Sequence, residues 1–143
     1  MRAVVQRVQW ARVKVDGKVV GEIGPGLLTL IGFEKGDDAA AIAKLMQRLR
    51  DMRVFSDENG KMNLSLADVK GAHLLVSQFT LAAQWTGGRR PGFDQAESPE
   101  KAKELFQTAV KSSHEAGMPT QAGEFGADMK VELLNDGPVT FLF

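Results

Sequence analysis

Apolar and polar residues alternate at the start of the chain. Val4, Gln6 and Val8 interleave with Ala3, Val5 and Arg7 at period two, the pattern of a strand. Val13–Val15 and Val19–Ile23 flank Asp16-Gly17, a pair suited to a two-residue hairpin turn. Gly24-Pro25-Gly26 is a turn that leads into Leu27–Phe33, a nearly continuous apolar run predicting a strand buried on both faces. The period then changes. Between about Asp38 and Met52, the residues Ile42, Leu45, Met46 and Leu49 recur at spacings of three and four, one face of a helix, and Asp37 or Asp38 can cap its start. Arg53–Phe55 predicts a short strand, Ser56–Lys61 a turn and Leu74–Thr80 a further strand. Trp85–Phe93, WTGGRRPGF, reads as a long glycine-rich loop. A second helix starts at Ser98-Pro99, a cap followed by proline in the first helical position, and runs to about Glu115, where Gly117 suits its C-terminal end. Leu105, Phe106, Ala109 and Val110 form its buried stripe. Met129, Val131 and Leu133 alternate, Asn135-Asp136-Gly137-Pro138 follows, and Val139–Phe143 ends the chain, predicting a terminal strand pair around a turn.

Roughly seven or eight strands and two helices result, a mixed α+β chain. Two helices cannot cover both faces of so much sheet. Sheet packed on sheet, with helices on one side, is the natural solution. The last residues, FLF, are apolar to the end, so the last strand is either central in the sheet or covered along its edge by a partner chain.

Composition narrows the functional classes. The 143 residues suit one domain, 1–143, with a real core. The 18 basic and 18 acidic side chains cancel, so any nucleic-acid contact must come from local patches. Cysteine is absent, which removes disulfides, a thiolate nucleophile and a cysteine-based zinc site. The opening MRAVVQRVQWARVKV lacks the unbroken apolar run of a signal peptide, and no stretch is long enough to span a bilayer. A soluble cytoplasmic protein with no membrane association is the expectation.

The inventory of reactive side chains is short. Of the two histidines, His114 lies near the end of the second helix, where a solvated cation favours the dipole. His73 precedes Ser77 by four strand residues, roughly 13 Å along the strand, too far for a nucleophile–base hydrogen bond. A Ser-His-Asp triad is therefore poorly supported, and two isolated histidines do not make a zinc site. No P-loop or dinucleotide fingerprint is present. Three segments remain. SQFTL, Ser77 to Leu81, ends a strand that begins apolar, and its polar groups either satisfy backbone at a sheet end or line a site. NDGPVT, Asn135 to Thr140, is on composition an ordinary turn. Arg89-Arg90 is either a solvated pair or a grip on phosphate.

Taken together, MRAVVQRV, GEIGPGLLTLIGFEKGD, FSDENGKMNLS, SQFTLAA, RRPGF, GEFGADM and NDGPVTF resemble the D-aminoacyl-tRNA deacylase (D-Tyr-tRNA deacylase) family from end to end. The resemblance implies a homodimer of three-layer β/β/α subunits and no cofactor. The partner is the 3′ end of a tRNA carrying a D-amino acid or glycine, entering at the subunit interface; DNA is not expected. Ser77, Gln78, Phe79 and Thr80 would line the pocket for the aminoacyl group, with Gln78, Phe79 and Thr80 closest to the chemistry. Gly137-Pro138 would carry a cis peptide bond and enter the partner's pocket, held by Arg7, while Phe125 and Met129 border the adenosine and the pocket. Only about 5–6% of X-Pro bonds in folded proteins are cis, so composition alone would not predict this one. The chain departs from the family pattern at Gly92, where serine is common, and at Pro119.

The implied activity answers a physical problem. One small group in an apolar pocket discriminates by only about 1–3 kcal/mol. Rigid carbonyls standing where an L side chain would go reject it by clash and desolvation, and Gly137 and Pro138 suit that role. Glycine has no side chain to reject, so glycyl-tRNA should also be cleaved. For the chemistry two routes stand. Thr80 attacks the ester, with no visible base to activate it, or the 2′-hydroxyl of the terminal adenosine assists water while N–H groups near Phe79 and Thr80 hold the oxyanion. The missing base favours the second. A nucleic-acid-binding module without turnover, a serine-type esterase and a structural assembly domain are the competing classes.

Overall fold

The computed structural model describes residues 1–143. Its organising element is β1, Arg2–Val15, which pairs antiparallel with three other strands. Residues 2–8 pair with β3 (Gly26–Gly32), and residues 11–15 pair with β2 (Lys18–Ile23). Asp16 and Gly17 both have positive φ, 49° and 77°, as the predicted hairpin turn requires. On its other edge β1 pairs with β8, Lys130–Leu142. β3 continues the sheet through parallel pairing to β6 (Ala72–Ser77), which pairs in parallel with β7 (Thr120–Ala122). A separate two-stranded piece joins β4 (Phe55–Ser56) and β5 (Met62–Leu64).

The parallel pairs dictate where the helices go, because parallel neighbours need a crossover. α1, Ala39–Asp51, lies between β3 and β6 in the chain, and α2, Pro99–Glu115, lies between β6 and β7. Asp38 caps α1 by accepting the Ala41 N–H at 2.8 Å, while Asp37 accepts the Glu34 N–H at 2.7 Å. Ile42, Leu45, Met46 and Leu49 are all buried, as the periodicity predicts. On α2 the buried stripe is Ala102, Leu105, Phe106, Ala109 and Ser113, with Val110 half-buried.

Two apolar clusters define three layers. Val8, Ala11, Val13 and Ile23 pack against Leu28, Leu74 and Val76, so the far half of β1 and β2 fold over β3 and β6. The helices cover the opposite face through Val5, Leu27, Ile31, Leu75 and the α1 and α2 stripes. Gly21 permits the closure: a Cβ there would lie 2.7 Å from the Ala122 carbonyl oxygen. The result is the expected β/β/α arrangement of mixed sheet with two helices.

Two expectations need correction. The strand expected over Leu74–Thr80 ends at Ser77, where the β3 ladder ends, and the chain enters a 3-10 turn, Phe79–Ala82. The C-terminal strands are not a pair around a turn. They are one strand, β8, both of whose arms pair with β1. Between Val8↔Asn135 and Gln6↔Thr140 only Arg7 stands opposite residues 136–139, so NDGP is a bulge thrown out of a ladder. Two strands were not predicted at all: β5 and β7, three residues each, are too short to show a period.

His73 is fully buried between the layers. Its Nε2 lies 2.8 Å from Thr29 Oγ1 and its Nδ1 2.8 Å from Ser113 Oγ, which in turn meets Thr120 Oγ1 at 2.6 Å. This network joins β3, β6, α2 and β7 without a charge. Burial pushes the His73 pKa down from 6.5 to about 3, so the folded protein holds it neutral. The unfolded chain takes up a proton first as pH falls, so stability is lost from pH 6.5 down towards 3. Carboxylates with lowered pKa, such as Glu34 and Glu132, add to this only below their ordinary value of 4.5. Urea unfolding should therefore lose up to about 1.4 kcal/mol per pH unit below pH 6.5. The part of that slope above pH 4.5 should vanish in His73→Gln.

Candidate active site

Parallel strands open a crevice at their carboxyl ends, and here the crevice is a cavity of about 460 Å³. Its floor is the end of β3 (Ile31, Gly32, Phe33) and the end of β6 (Val76, Ser77, Gln78). One wall comes from the start of α2, at Pro99 and Ala102, and another from the segment Phe125–Met129 with Val131. Phe79 stands at the mouth, more than half exposed, with its ring 5.1 Å from that of Phe93. Of the residues expected to form the site, Ser77, Gln78, Phe79, Phe125 and Met129 all line this cavity.

Thr80 is placed differently. It lies in the 3-10 turn, exposed, outside the cavity lining. Its Oγ1 accepts a hydrogen bond from Gln78 Nε2 at 2.5 Å. An amide N–H donating to a hydroxyl oxygen does not remove its proton, so this contact does not activate Thr80 as a nucleophile. The turn also has two N–H groups, of Phe79 and Thr80, with no carbonyl inside the turn to bond; Leu81 N–H is the first with one, the Gln78 carbonyl at 3.2 Å. His73 lies at the other end of β6 with both ring nitrogens engaged, which removes it as a base.

Gly32 is a site residue that pattern reading missed. A Cβ there would sit 2.5 Å from the Gln78 carbonyl oxygen and 3.1 Å from Leu81 Cβ. Only glycine lets the 3-10 turn press down on the end of β3. Nothing local in the sequence marks it, because the contact joins residues far apart in the chain.

The second expected feature is Asn135–Val139. The Gly137-Pro138 peptide is cis, and both residues are exposed. Neither lines the cavity of its own subunit. The bulge is anchored from below. Arg7, 7% exposed, donates Nε–H to the Asp136 carbonyl at 2.9 Å and Nη1–H to the Val54 carbonyl at 2.6 Å, and it lies 3.4 Å from the Asp136 carboxylate. Asn135 closes the neck: its Oδ1 accepts the Val139 N–H at 2.7 Å, and its Nδ2 donates to the Val139 carbonyl at 3.3 Å.

Both departures from the family pattern are accommodated. Gly92 pairs N–H and carbonyl with Gln84, at 2.8 and 2.9 Å, and a Cβ there would make only an ordinary contact. The Pro119 carbonyl accepts the His73 N–H at 2.8 Å.

Comparison with known proteins agrees with this geometry. A family model described as D-Tyr-tRNA(Tyr) deacylase matches residues 4–143. The chain belongs to the D-aminoacyl-tRNA deacylase family, a family of hydrolases. It is 56% identical over 142 residues to a D-aminoacyl-tRNA deacylase of Persephonella marina (strain DSM 14350 / EX-H1), covering 99% of this chain and 96% of that protein. Against the protein of that name from Geobacter sulfurreducens (strain ATCC 51573 / DSM 12127 / PCA) the identity is 53%, with 99% and 93% covered. Among solved structures, one named c-Myc DNA Unwinding Element Binding Protein superposes with a TM-score of 0.92 at 35% identity, covering 100% of this chain and 97% of the other. A second, described as a probable eukaryotic D-amino acid tRNA deacylase, has a TM-score of 0.84 with 99% and 97% covered, and at 18% identity it shows the shared fold alone.

The Arg7 anchor has a measurable consequence. Arg7→Met leaves two carbonyls, of Val54 and Asp136, without their donors. Urea unfolding should show a loss of about 2–4 kcal/mol, and hydrogen exchange at the Val139 N–H should accelerate more than that global loss explains.

Proposed function

We propose that this chain hydrolyses the ester of D-aminoacyl-tRNA, and of glycyl-tRNA mischarged on tRNA-Ala, and rejects the L-aminoacyl form. The observation that carries the reading is the pairing of a largely apolar cavity, with Phe79 at its mouth, with an exposed bulge that does not line that cavity. In a homodimer the bulge enters the partner's cavity. The free edge of β8, with Leu142 80% exposed on one arm and Leu134 exposed on the other, supports such an assembly. The backbone of Gly137 and Pro138 then stands where an L side chain would point. A carbonyl there repels it by contact and by loss of hydration, while a D side chain turns away.

Water is the nucleophile in this reading. Its oxygen bonds to the acyl carbon, and the carbonyl oxygen takes negative charge beside the Phe79 and Thr80 N–H groups. Collapse breaks the bond from the acyl carbon to the ribose oxygen, which receives the proton lost by water. His73 is locked, and the two carboxylates in the cavity walls are engaged, Glu97 by the Ser98 N–H and Asp128 by Lys130, so in this reading the adjacent 2′-hydroxyl of the terminal adenosine orients the water. No cofactor takes part, and the cytoplasm, where tRNA is charged, is the proposed location. No helix is long and apolar enough to cross a membrane. The neighbour named as a DNA-unwinding-element binding protein favours a second reading, nucleic-acid binding without turnover. Multiple-turnover release of free amino acid excludes it.

Two assays test the proposal. With matched aminoacyl-tRNAs, at concentrations where sedimentation gives twice the monomer mass, the D-form and glycyl-tRNA should be cleaved at least 100-fold faster than the L-form. Cleavage of the D-form with glycyl-tRNA surviving would remove the steric account. Thr80→Ala should keep activity within about tenfold of the parent and yield no trappable acyl-enzyme, since a lost nucleophile would cost far more.

A further inference from the structure

Between Asp68 and Asp94 the chain has no carboxylate side chain, and two of its basic residues there, Arg89 and Arg90, sit side by side in the loop Gln84–Gly92. The neck of that loop is closed by the reciprocal Gln84–Gly92 hydrogen bonds. Phe93, just below the neck, packs on Phe79, so the base of the loop is fixed to the mouth of the cavity. Beyond the neck every side chain from Trp85 to Arg90 is exposed. Trp85, at 69%, is the most exposed of the tryptophans and phenylalanines. Neither arginine forms an ion pair within the chain. Gly87 and Gly88, with φ of 156° and 76°, turn the tip back.

An uncovered indole is a stacking platform for any nucleobase, and guanidinium forks match phosphate oxygens in pairs. Either alone is an ordinary surface feature. Here both project from one rooted loop, free of competing carboxylates. Four residues on each side reach at most about 13 Å from the neck if fully extended, an upper bound of three or four stacked nucleotides at about 3.4 Å each. We infer that the loop Gln84–Gly92 docks the unpaired 3′ strand of the RNA, with Trp85 stacked on a base and Arg89 and Arg90 on the phosphates that precede the terminal adenosine. This rests on the aminoacyl-tRNA reading above, to which it adds the contact that holds the strand.

The test is direct binding of uncharged tRNA by the full chain, followed by fluorescence anisotropy. The probes are intact tRNA and the same tRNA lacking its last four nucleotides. Removing those nucleotides should weaken binding to the parent protein at least tenfold. R89Q/R90Q should weaken intact tRNA at least tenfold and flatten the log–log salt slope by about 1.4, the loss of two single-strand phosphate contacts. W85A should weaken it at least fivefold without changing that slope. Both variants should bind the truncated tRNA as the parent does. Unchanged affinity for intact tRNA overturns the inference, as does an equal loss on truncated tRNA. So does a change in sedimentation, which would make Trp85 a subunit contact, or equally tight capture of a DNA strand of the same sequence. A parent protein that binds by this pattern yet leaves D-aminoacyl-tRNA intact would defeat the proposed reaction and not the docking loop.

Discussion

The backbone hydrogen bonds of β1 are divided among β2, β3 and β8, and that division sets where the cavity and the bulge stand. Along one edge β1 holds β3, whose end forms the cavity floor. Along the other it holds β8, whose ladder skips two β1 residues, Gln9 and Arg7. The bulge stands opposite Arg7, whose buried guanidinium takes up the Asp136 carbonyl. A buried cation without partners costs several kcal/mol, so Arg7 and the bulge hold each other in place.

The cavity floor follows from a second constraint, the parallel ladder of β3 and β6. It stops at Ile31↔Ser77, and the absence of a side chain on Gly32 lets the chain fold over as a tight 3-10 turn. The turn leaves the Phe79 and Thr80 N–H groups without carbonyl partners inside the turn. Beside it the cavity is mostly apolar, with the carboxylates of Glu97 and Asp128 in its walls.

A rigid interior supports this arrangement. The uncharged His73 network links four elements beneath the site, and its neutrality keeps a polar chain inside an apolar core without a buried charge. The site itself lies at the surface end of those elements.

Much of this was legible in the sequence. α1 and α2 stood out because their apolar faces repeat over three or more turns, and the first hairpin because Asp16-Gly17 is one of few pairs that both accept positive φ. Ser77, Gln78 and Thr80 were legible as a polar end to an apolar strand, while Phe79 and the roles of all four came from family resemblance. What the sequence could not decide is whatever depends on contact between distant segments. Turn-forming residues at Asn135–Pro138 serve a hairpin or a bulge equally well; pairing of both arms with β1 decided for the bulge. Strand propensity ran through Thr80, but a strand lasts only as long as its neighbour, and β3 ends first. β7 exists because α2 returns it beside β6, and Gly32 matters because Gln78 is laid on top of it. Local chemistry selects elements through their own periods, and only the folded chain fixes which backbone groups find partners and which are left without one.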